Sequence, residues 1–290
     1  MQYHAIHSSK KMQKTLNIII FGRMEYIGNI RKMEAFHEKV VQYFIPLGKD
    51  KIDMNKVLGR QFHMEYLGHI HCIKCGRETR KSFSQGFCYP CFTTAPETEE
   101  CVLRPELCRA HEGVARDMEY ARNHCLIDQV VYLSLTSGIK IGVTRNTQIP
   151  TRWIDQGAIQ ALEFARTPNR YTAGLLEVAM KAHIPDKTNW RLMLSGSEHG
   201  TFDLISEKQR LLELVPANFR SYVTEDSQLV ELAYPVIQYP EKIKSLNFDK
   251  DPVVSGVLTG IKGQYLMLDQ NRVINMRKFG GYQVRIKTGL

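Results

Sequence analysis

An α+β fold is what this sequence predicts, with a cysteine-rich ribbon, a compact α/β unit and β-rich segments at the two ends. Three observations point to it. Two CxxC pairs stand between Cys72 and Cys91; a hairpin pattern leads into helical periodicity between positions 130 and 183; and alternating apolar positions broken by glycine fill residues 24–71 and 252–287.

Residues 1–23 read as an upstream extension, because Met24 opens more orderly sequence. Their apolar run LNIIIF, behind Lys10, Lys11 and Lys14, is too short for a membrane span and lacks a small-residue cleavage site. Within residues 24–71, the pieces 39–47 (KVVQYFIPL) and 60–71 (RQFHMEYLGHIH) suit short antiparallel strands. Residues 72–128 form the cysteine-rich segment, where Val114, Met118 and Ala121 keep helical spacing over 112–124.

Residues 129–195 make the α/β unit. A strand at 130–135 (VVYLSL), a Ser137-Gly138 turn and a strand at 139–143 (IKIGV) form a hairpin, and a helix starts near Pro150. Residues 158–165 fit a third strand or a short helix, and periodicity does not decide between them. The strongest helix spans 171–183, with Leu175, Leu176, Ala179 and Met180 on one side, and it stops before Pro185. Residues 196–251 connect, with a helical pattern over 206–214 and a strand over 234–239 bounded by prolines. Residues 252–290 return to strands, at 264–268 and 282–286. The shared β character of the two ends predicts that they pack into one sheet or barrel, with the cysteine segment and the α/β unit inserted between its halves.

All seven cysteines lie between Cys72 and Cys125, an odd count with two CxxC pairs. That usage indicates thiolates holding metal in a reducing compartment rather than a disulfide framework. Cys72, Cys75, Cys88 and Cys91 follow C-x2-C, twelve residues, C-x2-C, with Gly76 and Gly86 near the turns. Four soft thiolates suit tetrahedral Zn²⁺, with an iron–sulfur centre as the alternative, and a site with four protein ligands stabilises rather than catalyses. The loop between the pairs places Lys74, Arg77, Arg80 and Lys81 beside Phe83, Phe87 and Tyr89, a mixture that contacts phosphate and stacks on bases, or equally forms a solvated face over a small core. Cys101, Cys108 and Cys125 with His111 make a second candidate zinc site. Their looser spacing, six residues and then sixteen, leaves buried free thiols as a close competitor.

The run VVYLSLTSGIKIGVTRNTQIPTRWIDQGA, residues 130–158, resembles the hairpin and first helix of the GIY-YIG nuclease superfamily. Across residues 24–287 the chain more closely resembles an uncharacterised bacterial zinc-knuckle family, described as a domain of unknown function, through CIKCG, FCYPCF, PELC, KIGVTR, TRWIDQGA, DKTNW and GIKGQYL. That resemblance implies no established activity. The superfamily resemblance implies a GIY-YIG-like α/β domain with Tyr132 as the first-strand tyrosine, Arg152 as the helix arginine, Glu177 as a ligand for Mg²⁺ or Mn²⁺, and Asn189 as the further asparagine. Lys140 stands where the superfamily has its second tyrosine, a departure that favours holding phosphate over ordering a water. Each residue also has a structural reading: Tyr132 as a strand tyrosine, Arg152 as a surface arginine, Glu177 as the polar edge of an apolar helix, and Asn189 as a cap. Arg145 falls near the same end of the hairpin, and Trp153, Asp155 and Gln156 offer either a stack and polar edges for a base or packing against the sheet.

The formal net charge of +9, from 39 Lys and Arg against 30 Asp and Glu, favours an anionic partner, although residues 92–128 hold eight acidic residues against four basic. The leading expectation is a zinc-stabilised nucleic-acid-binding protein of the cytoplasm that cleaves phosphodiesters with Mg²⁺. RNA is favoured over DNA, because no helix-turn-helix pattern is present. The alternatives are a non-catalytic nucleic-acid binder and a protein-interaction or assembly module on a degenerate nuclease-like fold.

Overall fold

The computed structural model describes residues 24–196, 202–225 and 228–289, so the expected extension at 1–23 lies outside the described residues. The described residues begin with five strands: β1 (Met24–Asn29), β2 (Glu34–Phe36), β3 (Gln42–Leu47), β4 (Asp50–Asp53) and β5 (Gln61–Ile70). The cysteine segment follows, with α1 (Tyr89–Thr94), four tight helical turns, among them Pro105–Leu107, and α2 (Met118–His124). The α/β unit contains β6 (Gln129–Leu135), β7 (Ile139–Arg145), α3 (Thr151–Asp155), β8 (Gln160–Thr167) and α4 (Arg170–Met180). Then come α5 (Trp190–Leu194), α6 (Leu204–Leu212), β9 (Val230–Glu231), β10 (Lys244–Ser245), β11 (Val253–Lys262), β12 (Tyr265–Leu268), β13 (Arg272–Asn275) and β14 (Tyr282–Thr288).

The two chain ends do share a sheet. Seven strands run in the order β1-β14-β5-β11-β12-β13-β10, so β5 from the first part of the chain sits between β14 and β11 from the last. Met64 is paired with Ile286 on one side and Val254 on the other. The alternation seen in the sequence sets this register, because Phe62, Met64, Val284 and Ile286 are all fully buried on one face. A slip of one residue would turn each to solvent, at about 1.5–3 kcal/mol per side chain. A small sheet, β2-β3-β4, adds Tyr43, Ile45 and Leu47 to the same core.

β6 is the centre of the second body, a four-stranded sheet in the order β7-β6-β8-β9. Every residue of β6 is buried, because both its faces are covered. Val130 and Tyr132 face the core shared with the seven-stranded sheet, while Val131, Leu133 and Leu135 face a separate core with Leu176, Met180 and Leu211. The α/β unit is thereby locked onto the sheet built from the chain ends.

Two local expectations are corrected, and one left open is decided. The helix over 112–124 starts only at Met118: Gly113 takes a left-handed φ of 79° that ends the preceding turn, and the Asp117 side chain accepts from the Tyr120 amide as the cap. Residues 234–239 form no strand. Pro235 and Pro240 lack amide donors, and the segment meets the sheet through a bridge from Val236 to Gly260 and a few backbone bonds, the Ile237 amide donating to the Thr259 carbonyl and the Ile261 amide to the Pro235 carbonyl. Of residues 158–165, undecided between strand and helix, 160–165 belong to β8, which pairs with β6 along its length.

Candidate metal centres and a basic recess

The knuckle hangs from the end of β5. Cys72 and Cys75 sit on a tight turn closed by the Gly76 amide donating to the Cys72 carbonyl, and Gly76 has the positive φ that the turn requires. Cys88 caps α1 and Cys91 lies in its first turn. The four Sγ atoms lie within 4.8 Å of one another, and Cys75 and Cys88 are 3.8 Å apart. Two sulfurs on a tetrahedral zinc at about 2.3 Å stand about 3.8 Å apart, whereas a disulfide is about 2.05 Å. Burial pushes the Cys72 thiol up, but the backbone amides of Cys75, Cys88 and Lys74 outweigh it and bring the thiol down to about 6, while burial and the neighbouring sulfurs push Cys91 up to about 12. The same amides favour the thiolate form that a metal ligand requires, and a divalent ion would supply the charge that lets the other sulfurs ionise.

Cys101, Cys108 and Cys125 form a second group, all buried, with Sγ atoms within 4.8 Å of one another. Hydrogen bonds from Cys101 and Cys108 hold the Cys125 thiol down at about 2, with further help from Arg170, while sharing with the other two sulfurs drives Cys101 upward. Both groups can hold zinc. His111 does not join the trio in this arrangement, which corrects the expected fourth ligand. Its ring stacks on Tyr171 at 4.3 Å and its Nε2 lies 3.9 Å from Glu112.

Tyr132, Lys140, Arg152 and Glu177 converge. The Tyr132 hydroxyl donates to Oε1 of Gln156 at 2.7 Å and meets the Arg152 guanidinium; Lys140, 4% exposed, senses both Arg152 and Glu177. Gly142 makes room for the tyrosine, because a Cβ there would lie 2.6 Å from its hydroxyl oxygen. Burial first, then Arg152, lowers Lys140 to about 8. Burial raises the Glu177 carboxyl, although Lys181 opposes it at 3.7 Å. Lys181 pairs with Glu177, which among the described residues belongs to no group of three donor side chains, so the arrangement gives the expected Mg²⁺ or Mn²⁺ no support of its own. Asn189 lies outside the constellation. Its side chain accepts from the Arg191 and Leu192 amides, the capping role.

Beside this constellation opens a recess of about 180 Å³. Lys32, Arg145, Arg152, Arg170 and Arg277 line it, with Asp155 as the one carboxylate. Asp155 is already matched: Lys32 pairs with it, and Gln264 donates to it at 2.9 Å. Burial lowers both Arg145 and Arg277, and the like charges of Arg170 and Arg152 lower them further. Cations crowded to their mutual cost mark a place that favours an anion.

The contacts expected of Trp153, Asp155 and Gln156 are corrected by burial and by partners within the chain. Trp153 is 2% exposed and edge-on to Tyr132, so it packs the core and stacks on no base. Gln156 is occupied by Tyr132, and Asp155 by Lys32 and Gln264. In the knuckle loop, Lys74 pairs with Glu97 at 2.6 Å, Lys81 covers the Phe83 ring at 5.2 Å, and Arg77 and Arg80 are exposed; none of the four lines the recess. Sequence reasoning missed Lys32, Arg170 and Arg277. Arg170 had a visible signal, since it opens α4 beside the Asn169 cap, but nothing local marks the other two.

Residues 59–284 match the family model described as "Protein of unknown function (DUF2797)". The chain belongs to this family. The match runs from the start of β5 to β14, so it takes in both cysteine groups and most of the recess, with Lys32 before it. No curated protein and no solved structure matches significantly. No helix among the described residues is long and apolar enough to cross a membrane.

Proposed function

We propose that this chain is a zinc-stabilised nucleic-acid-binding protein that grips the phosphate backbone in the recess of Lys32, Arg145, Arg152, Arg170 and Arg277. The observation that carries the reading is five cations around about 180 Å³ with a single, already paired carboxylate. Guanidinium forks match phosphate oxygens in pairs, and Arg supplies four of the five. The net charge of +9 adds a long-range attraction. The order of hairpin, α3, β8 and α4, with Tyr132 and Arg152 in contact, supports the likeness to the GIY-YIG nuclease domain.

The decisive experiment is fluorescence anisotropy of labelled single-stranded RNA and DNA against the zinc-loaded chain across a salt series. Binding that weakens steeply with salt, and is largely lost in an Arg152→Ala/Arg277→Ala double variant, is the expected result. No binding to either strand at low salt overturns the reading and moves weight to an acidic protein partner.

The convergence of Tyr132, Lys140, Arg152 and Glu177 favours phosphodiester cleavage as a second reading. Its test is turnover of the same strands with and without Mg²⁺ or Mn²⁺, in the parent chain and in Glu177→Gln. Binding without turnover under every condition leaves the first reading alone.

A further inference from the structure

The basic recess does not end at Arg277. Lys32, Val102 and Arg277 also line a second cleft of about 630 Å³ that opens between the knuckle, the segment after it and the seven-stranded sheet. The two spaces share a wall, so one ligand can occupy both.

Their chemistry differs. The recess carries five cations against one paired carboxylate. In the cleft the charges nearly balance: Glu97, Glu99 and Glu100 stand against Arg31, Lys32, Arg116 and Arg277. Two of those guanidiniums are engaged in holding the walls, Arg31 donating to the Ile73 carbonyl at 2.7 Å and Arg116 to the Ala95 carbonyl at 2.9 Å. The remaining lining is largely apolar, with Phe87 and Phe92 from the knuckle and Leu103, 86% exposed, from the facing segment. Carboxylates there disfavour further phosphates, and the apolar wall favours an uncharged, flat group. The knuckle side also contains Ser84 and Gln85 in succession at φ 42° and 66°. They are the central residues of the tight hairpin turn closed by the Gly86 amide donating to the Phe83 carbonyl, and this turn fixes the knuckle side of the cleft.

We propose that this cleft seats the base and sugar of one nucleotide of a single-stranded nucleic acid whose phosphate lies in the adjoining recess. The proposal rests on the nucleic-acid reading and deepens it. The volume lies within the range of small-ligand sites, and an unpaired base is free to leave its neighbours and enter, whereas a paired one is not. On this assignment the zinc knuckle forms one wall of the base site in addition to stabilising the fold, and the cleft, rather than Trp153, supplies the apolar contact to the base.

The test measures anisotropy of the zinc-loaded full chain with three labelled ligands of equal length: a single strand with bases, an abasic phosphodiester strand and a duplex. The expected result is that the base-bearing strand binds about tenfold more tightly than the abasic strand, the scale set by one base contact. The Leu103→Ser variant, in the cleft alone, should bring that advantage to about twofold or less without weakening the abasic strand. Arg145→Ala, in the recess alone, should weaken both strands. Unchanged zinc content and circular dichroism establish that the serine variant is folded. Equal, salt-sensitive binding of the base-bearing and abasic strands overturns the base site and leaves the phosphate recess standing, and so does preferential binding of the duplex. Failure of every ligand to bind at low salt overturns both.

Discussion

Gly174 on α4 lies against the Pro105–Glu106 peptide so closely that a Cβ would stand 2.2 Å from the Glu106 nitrogen. This approach seats the turn between Cys101 and Cys108 directly on the helix that carries Glu177. It places Glu106 near Glu177, whose carboxyl it helps to raise after burial and Asp186, and it brings Val102 and Pro105 to the rim of the recess. The second cysteine group is therefore a structural cover for the α/β unit.

Gly174→Ala should consequently destabilise the protein, against helix propensity. Alanine in place of glycine gains about 1 kcal/mol inside a helix, but here the clash is with backbone and cannot be relieved by a rotamer change, which costs about 2–3 kcal/mol. Urea denaturation of the zinc-loaded protein should show a net loss. A midpoint equal to or above that of the parent would contradict the contact.

Metal analysis should find two zinc ions per chain, because both cysteine groups already hold their sulfurs at chelating separations. Cys75→Ser should remove one ion and Cys125→Ser the other, each lowering the thermal midpoint, and a strong chelator should lower it further. Recovery of a single ion, unaffected by Cys125→Ser, would leave the trio as buried thiols.

Removing recess arginines should alter the salt dependence as well as the affinity. Each lost phosphate contact lowers the slope of log affinity against log salt by about 0.7 for a single strand. Arg152→Ala and Arg145→Ala, combined, should therefore flatten it by about 1.4. An unchanged slope would place the backbone elsewhere, with the exposed Arg77 and Arg80 next to be tested.

Lys262, 2% exposed against the rings of Tyr234 and Tyr239, gives a prediction on pH. Burial lowers it from 10.5 to about 8 in the folded protein. Between those values the unfolded chain binds the extra proton, so stability rises as pH rises through the window, and the cost is fully present below about 8. Lys140 behaves in the same sense. Lys262→Met should add stability on the order of 2 kcal/mol at pH 7 and make the rise above pH 8 shallower. Denaturation midpoints between pH 7 and 10 measure both effects.

Much of this was legible in the chain itself. The CxxC pairs at Cys72, Cys75, Cys88 and Cys91 bring sulfurs together through short covalent spans, so spacing alone predicts their meeting. Alternation in β5 and β14 decides which side chains face inward, and the β6–β7 hairpin follows from a two-strand pattern around Ser137-Gly138. Burial was less legible. Trp153, Asp155 and Gln156 stayed open between recognition and packing, because a short helix after a hairpin does not reveal that the seven-stranded sheet covers it.

The sequence by itself determined the first cysteine group and the α+β character, since each depends on local spacing or on a period of two that the backbone enforces, and the pairing of the two ends was an expectation from their shared character that the long-range packing decided. Only the tertiary structure decided the recess. Lys32 and Arg277 meet Arg145, Arg152 and Arg170 because the sheet built from the chain ends closes against the α/β unit. A cation on a turn has no periodicity to announce its partners, so long-range packing alone brings these five charges around one space.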